Sequence, residues 1–397
     1  MIDSIVKSLE NMFTETVSLR RYFHQFPELS FEEENTPKKI AEYLNSLGIK
    51  VRTDVGGRGV VGVIEGKYPG KTVALRADFD ALAIQDQKEV EYKSKVPGKM
   101  HACGHDGHTA ALLSVAKVLQ EHRDHIKGKV VLIHQFAEEI TPGGAISMIE
   151  DGCLDGVDAI FGTHLWSTIP VGKIGFHSGP IMAAADKFTV EIQGEGGHGG
   201  QPHRTCDPII LATNYIQMLQ QIVSRNIDPL SSAVISVCTI HSGSSFNVIP
   251  EKVQLSGTVR TFDVEVQEIV FNRMETLLKT LCEGAGASYT FEFEKGYPPV
   301  INHQEETQFA MKCAQQLLGE EKVFDYQPQM AGEDFSYYLQ KVPGTFFFTG
   351  AGNPEIGAKY PHHHPKFDID EKALLYAAQV LAIVAVQYLE KHEGKIK

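Results

Sequence analysis

Eight residues of this chain, His101-Ala102-Cys103-Gly104-His105-Asp106-Gly107-His108, hold three of its 17 histidines and one of its six cysteines. Thiolate and imidazole both ligate Zn²⁺, Mn²⁺, Co²⁺ or Ni²⁺, to differing degrees. The spacing is no complete zinc-finger pattern, so the segment reads equally as a polar loop whose histidines cap a helix and pair with Asp106. A second feature is the adjacent pair Glu138-Glu139. A metal hydrolase needs one carboxylate on the ion and another to take a proton from the attacking water. Two neighbouring loop residues can divide those tasks, although an isolated Glu-Glu is more often a solvated surface pair. His164, alone, reads as a partly buried histidine with its partner satisfied, and the run His362-His363-His364-Pro365 as an exposed polar turn.

Position adds weight. Asp78 and Asp80 follow the apolar run 72–75, Glu138 and Glu139 follow 130–136, and His164 follows 157–161. In open α/β sheets ligands bind beyond the carboxyl ends of strands, so these side chains are expected to converge.

The elements that must position them alternate. Ile2, Ile5, Val6, Leu9, Met12 and Phe13 have helical spacing over 2–19. A second helix has Thr36 as its expected cap, Pro37 in its first turn and Gly48 past its end. Strands at 60–64, 72–75, 130–136 and 157–161, with a helix near 108–121, predict an α/β sheet covered on both faces. From about residue 182 the order becomes strand 187–193, helix 207–225, strands 232–240 and 252–261, helix 264–283 and strand 288–294. This βαββαβ order predicts a ferredoxin-like unit inserted into the larger domain. Helix 305–318, strand 345–348 and a final helix 371–391 then resume the alternation.

With 397 residues, two domains are the default expectation. A net charge of −13 excludes nucleic acid and disfavours anionic membrane surfaces. No apolar run is expected to reach the roughly 20 residues of a membrane span, and the start lacks a signal peptide's pattern. Six cysteines without paired spacing are no disulfide framework, which suits reduced thiols and the cytoplasm.

Taken together, eight segments in order resemble the M20 metallopeptidases, in particular their branch of aminoacylases, hippurate hydrolases and auxin-conjugate hydrolases. They are Leu75–Leu82, Met100–Thr109, Ala137-Glu138-Glu139, Thr163–Trp166, Gly196–His203, Asn247–Pro250, Ala331–Phe335 and His363–Phe367. The resemblance implies a mixed-sheet, zinc-peptidase-like catalytic domain (1–181 and 295–397) with an inserted ferredoxin-like α+β lid and dimerisation domain (182–294). It implies two divalent ions (Zn, Mn, Co or Ni) ligated by Cys103, His105, Glu139, His164 and His363, with His362 and His364 as possible substitutes for the last. Glu138 would be the general base for metal-activated water, Asp80 would orient a ligand histidine, and His198 would polarise the scissile carbonyl. Asn247 and Arg260 would hold the substrate carboxylate, an Arg fork suiting two-point binding, although a surface salt bridge suits Arg260 nearly as well.

Peptidase branches of the family carry His-x-Asp where this chain has Asp78-Phe79-Asp80, and Cys103 takes the place of that ligand. The exchange favours hydrolysis of N-acyl amino acids (N-acetyl, benzoyl or similar) over peptides, in a homodimer or higher homo-oligomer. The rival readings are a dipeptidase or carboxypeptidase of the same family, a hydrolase with Cys103 as nucleophile, and an inactive binding protein that keeps the fold.

Overall fold

The computed structural model describes residues 1–391, which fall into two compact units. The first comprises Met1–Gly179, Ile301–Gln327 and the chain from Asp334 onward; the second comprises Pro180–Val300 with Pro328–Glu333. The expected insert at 182–294 thus differs in extent. The last strand, Ser288–Tyr297, runs three residues further. The short segment 328–333 also returns to the second unit, where Gln329 and Ala331 carbonyls accept from the Ala183 N–H.

The first unit is built on an eight-stranded mixed sheet, in the order Lys50–Val55, Gly59–Glu65, Lys127–Gln135, Tyr68–Asp78, Ala159–Pro170, Gly344–Gly352, Ile174–Phe176, Val323–Asp325. Its centre is parallel: Tyr68–Asp78 lies between Lys127–Gln135 and Ala159–Pro170, and Gly344–Gly352 extends the run. These strands are buried on both faces, hence their nearly continuous apolar sequences. Helices Ile2–Gln25, His105–Glu121 and Lys372–Lys391 pack on one another, and the latter two on these strands.

The final helix corrects one expectation. By length and composition Lys372–Lys391 is apolar enough to cross a bilayer, with mean hydropathy 1.6. However, 78% of its apolar 18-residue stretch is buried in the protein, as befits a core helix.

Three local predictions also change. Thr36 does not cap the second helix, which begins at Asn35; the Glu28 carboxylate instead accepts from the N–H groups of Glu34, Asn35 and Thr36. A distant carboxylate does this as well as a neighbouring hydroxyl, because the orphaned N–H groups need only an acceptor. The metal-motif helix starts at His105, three residues earlier than expected, after Gly104 at φ +98°. His164 does not follow its strand but lies within Ala159–Pro170, opposite Phe348.

The second unit has a four-stranded antiparallel sheet ordered Ala233–Ser242, Lys252–Thr261, Ala185–Gln193, Ser288–Tyr297, with helices Pro208–Arg225 and Val264–Ala285 packed on it. The chain order is βαββαβ. Its core interleaves Phe188, Val190, Leu255, Tyr215, Met274 and Leu278. Leu278→Ala is expected to cost about 2–5 kcal/mol, the range for a fully buried leucine. Urea unfolding monitored on this unit checks it, and a cost well under 1 kcal/mol would mean that Leu278 is not packed as described.

Candidate metal centre and active site

The first unit gathers the motif residues at one end of its sheet. Asp78 is the last residue of its strand, and Asp80 lies two beyond it. Glu138 and Glu139 follow the parallel neighbour Lys127–Gln135 after Ala137, which holds a positive φ of 50°. Cys103 precedes the glycine that turns the chain into helix His105–Glu121. His363 also has a positive φ, 64°, and its N–H donates to Ala102 O at 2.8 Å. Non-glycine residues adopt this region only when their surroundings impose it, so the backbone is bent on purpose at two of these positions.

The ligating atoms of Cys103, His105 and His164 lie within 4.8 Å of one another, as do those of Cys103, Glu139 and His363, and those of His105, Glu138 and Glu139. Cys103 Sγ stands 3.5 Å from His164 Nε2. His105 Nε2 is 3.8 Å from Glu139 Oε1 and 3.9 Å from Glu138 Oε2, while His363 Nε2 is 3.4 Å from Glu139 Oε2. Cys103, His105 and Glu139 each belong to two of these three groups.

The histidines are aimed by their other nitrogens. His105 Nδ1 donates to Asp80, with Oδ1 and the backbone O both at 3.0 Å, which turns Nε2 toward the carboxylates. His164 Nδ1 donates to Leu165 O at 3.0 Å, turning Nε2 toward Cys103. Asp80 is itself fixed, since its Oδ2 accepts from Ser30 Oγ at 2.7 Å and from the Glu139 N–H at 2.9 Å. One carboxylate therefore positions both a histidine and the glutamate facing it.

The neighbours of His363 are committed elsewhere. His362 donates from Nε2 to Leu165 O at 3.0 Å and packs on Trp166. His364 stacks on Tyr360, and its Nδ1 accepts from the Lys366 N–H.

The donor set fits a cation. His105 Nε2 and Glu139 Oε1 are buried without a hydrogen-bond partner. With Nδ1 donating to Asp80, a neutral His105 presents a lone pair at Nε2, so the two atoms are facing acceptors that cannot satisfy each other. Protonation is the protein's own remedy. Burial alone lowers the basicity of His105, but Asp78, Asp80 and Glu139 outweigh it and raise the imidazole to about 10. Even so, 3.8–3.9 Å to the carboxylates exceeds a hydrogen bond. Burial, with the Glu139, Glu138 and Asp78 charges, pushes the Cys103 thiol well up, and burial holds His164 well down. A thiol and a neutral imidazole in that state do not form an activated nucleophile pair, whereas thiolate, imidazole and carboxylate together are a divalent-cation donor set.

Two residues that the sequence reading left without a role belong to this assembly. His108 Nδ1 is 2.6 Å from Asp78 Oδ1, and its Nε2 accepts from the Leu165 N–H at 2.9 Å, beside His164. Its position on the same helix face as His105 was the available signal. Glu33 accepts from the Ala137 N–H at 2.8 Å, holding the bend that precedes Glu138. Nothing local in the sequence marks it.

The second unit carries the remaining candidates. His198 is exposed and pairs with Val248 in a two-stranded ladder, next to the Gly199 N–H that donates to Asn247 O. Its Nδ1 accepts from the Gly200 N–H at 3.0 Å, which leaves Nε2 as the donor of the neutral ring. Arg260 sits at the other end of Lys252–Thr261, its Nη1 donating to Thr258 Oγ1 at 2.5 Å and Val259 O at 3.2 Å. Arg260 lies eight steps along the strand from Lys252, about 26 Å at 3.3 Å each, and the strand begins just after the Asn247 ladder. Within one chain, His198 and Asn247 are brought together and Arg260 is not.

Comparison with known proteins identifies the family. The model of a family described as "Peptidase family M20/M25/M40" matches residues 74–387. The protein YhaA of Bacillus subtilis (strain 168) is 55% identical over 384 residues, 97% of each chain. N-acetyl-L-cysteine deacetylase of the same organism is 42% identical, over 97% of this chain and 91% of its own. Thermostable carboxypeptidase 1 of Saccharolobus solfataricus is 42% identical, over 98% of this chain and all of its own. Among solved structures, the Bacillus subtilis YXEP protein, described as a dinuclear metal binding peptidase from the M20 family, superposes with a TM-score of 0.83 at 37% identity. That match covers 96% of this chain and 99% of the other.

Glu33 gives a pH prediction. Burial, with the Asp80 charge adding to it, raises its carboxyl from 4.5 to about 8. A folded-state value above the unfolded one contributes stability that is complete below about 4.5 and is lost as pH rises toward 8. In metal-free protein, Glu33→Gln is therefore expected to lose less stability than wild type between pH 5 and 8, as read by urea unfolding. Parallel pH profiles would contradict this.

Proposed function

Because the chain belongs to the peptidase family M20/M25/M40, we propose that it is a metal-dependent amidohydrolase that cleaves N-acyl amino acids. The observation that carries the reading is the facing pair His105 Nε2 and Glu139 Oε1, buried and unpartnered, with Cys103, His164 and His363 around them. Two overlapping groups, Cys103–His105–His164 and Cys103–Glu139–His363, suit two cations with shared ligands. Divalent ions held there would polarise the scissile carbonyl and lower the pKa of attacking water toward about 7.

The chain's own residues supply the rest. Glu138 immediately precedes Glu139, with Oε2 3.9 Å from His105 Nε2, and is the base. Its carboxylate takes the proton of the attacking water, then returns it to the amide nitrogen as the C–N bond breaks. Asp80 keeps Nε2 of His105 facing inward throughout. His198, with Nε2 as its donor, stabilises the oxyanion. Asn247 and Arg260 bind the substrate carboxylate. Their separation in one chain supports a homodimer, in which the second unit acts as lid and dimerisation domain and two copies complete each site. The cytoplasm is the proposed setting, consistent with six free cysteines.

A carboxypeptidase reading is favoured by the Saccharolobus relative, and by the description of the YXEP structure as a peptidase, and uses the same residues on a peptide bond. Measuring kcat/KM for N-acyl amino acids against dipeptides, after reconstitution with Zn²⁺, Mn²⁺, Co²⁺ or Ni²⁺, separates the two. Preference for the acyl amino acids is expected, and a preference for dipeptides would overturn it. Glu138→Gln should keep its metal and lose roughly 10²–10⁴ in kcat. His105→Ala should lose metal and activity together, and a fully metallated His105→Ala protein would remove this residue from the ligand set.

A further inference from the structure

One residue beyond His105 begins a buried ion network that the proposed chemistry does not use. Arg20, fully buried on helix Ile2–Gln25, donates from Nε to Asp106 Oδ2 at 2.8 Å. Its Nη2 donates to Asp368 Oδ1 at 2.8 Å and its Nη1 to Glu371 Oε1 at 3.3 Å. His24 Nδ1 shares the same Asp106 oxygen at 2.8 Å, and Tyr92 Oη donates to Asp368 Oδ2 at 2.7 Å. A single guanidinium thus bridges two stretches of chain. One is the first turn of the helix that bears His105, close to Cys103. The other, Asp368 to Glu371, follows His363 by five to eight residues.

Stability is a poor reason for such a cluster. Desolvating buried ions offsets most of their attraction, and well-packed apolar residues often do as well. What the planar fork supplies is geometry, because its donors fix the direction of each carboxylate. Geometry is also what the ligand loop lacks. His105 is held by Asp80 at Nδ1 as well as by its helix, and Asp106 keeps His24 if Arg20 is changed. His363 lies on a turn with its side chain 54% exposed and a strained φ. Its backbone is held by the bond to Ala102 and by its neighbours, His362 on Leu165 O and Pro365 O under the Gln87 N–H, while the direction of the chain beyond it is set at Asp368.

We propose that Arg20 is a positioning residue for the metal centre: through Asp106 and Asp368 it sets the approach of His363 to Cys103 and Glu139. The inference rests on the two-cation reading above. Loosening this clamp weakens the cation position that uses His363 and spares the one made by Cys103, His105 and His164.

The test is titration of metal-free wild type and Arg20→Lys with Co²⁺ alone, followed by visible absorption, alongside melting of the metal-free proteins. Wild type is expected to bind in two steps. Arg20→Lys should weaken one step about 10–100-fold, the usual effect of losing an outer-shell partner, and leave the other nearly unchanged. Two unchanged steps, or both weakened equally with a lowered melting temperature, would overturn the proposal, since a merely structural arginine produces one or the other. If Arg20→Lys does not fold, Asp368→Asn decides by the same titration, because it removes the guanidinium's partner on the His363 side. A wild type that takes up no Co²⁺ would sink the metal reading and this inference with it. That outcome is distinct from a two-step wild type matched by its variant.

Discussion

Two buried acceptors face each other across 3.8 Å with no donor between them. A lone pair on His105 and an oxygen of Glu139 cannot both be left unsatisfied in an enclosed site without a cost of roughly 1–3 kcal/mol per group. A proton on His105 relieves the charge but does not reach either glutamate. A divalent cation would satisfy both atoms at once, with the ligating atoms of Cys103, His164 and His363 close by. The rest of the first unit can be understood as the means of holding these groups close despite their mutual repulsion.

The means are ordinary parts used at high density. Parallel strands place Asp78, Asp80 and the Glu138–Glu139 turn at one sheet end. Asp80 links three of the pieces, since it orients His105, accepts from the Glu139 N–H and is steadied by Ser30. Burial disfavours its charge, but the His105 hydrogen bond and its other donors outweigh that and keep Asp80 below the usual carboxylate range. The positive-φ bends at Ala137 and His363 are where ordinary secondary structure would point a ligand the wrong way. The Asp78–His108 pair holds the Leu165 N–H and so braces the strand that presents His164. Activity at such a site is inseparable from its electrostatics, because the carboxylates that attract cations are the same ones that push the Cys103 thiol up.

Much of this could be read in the sequence, for a definite reason. Strand ends followed by polar residues and a glycine before a histidine-rich helix are local signals, and the order of the motifs is a long-range one. The βαββαβ order of the second unit follows from periodicity alone, and its antiparallel sheet has the matching strand order. What could not be read depends on partners distant in the chain. Glu28 caps a helix from seven residues away, where the sequence suggested Thr36. His362, His363 and His364 are chemically equivalent as letters, and only the rings of Trp166 and Tyr360 show which one is left to face Glu139. Glu33 and Arg20 carry no motif that sets them apart from structural residues, and His108 is marked only by sharing a helix face with His105. The strand through His164 is longer than its apolar run, because a histidine interrupts the apolar pattern without interrupting the ladder.

The most direct test of the central claim is X-ray absorption at the cobalt edge of the reconstituted protein, compared with Cys103→Ser. A thiolate in the coordination sphere is expected as one sulfur scatterer near 2.3 Å beside nitrogen and oxygen near 2.0–2.1 Å, with the sulfur shell absent from the variant. A sphere of nitrogen and oxygen alone in the wild type would contradict it.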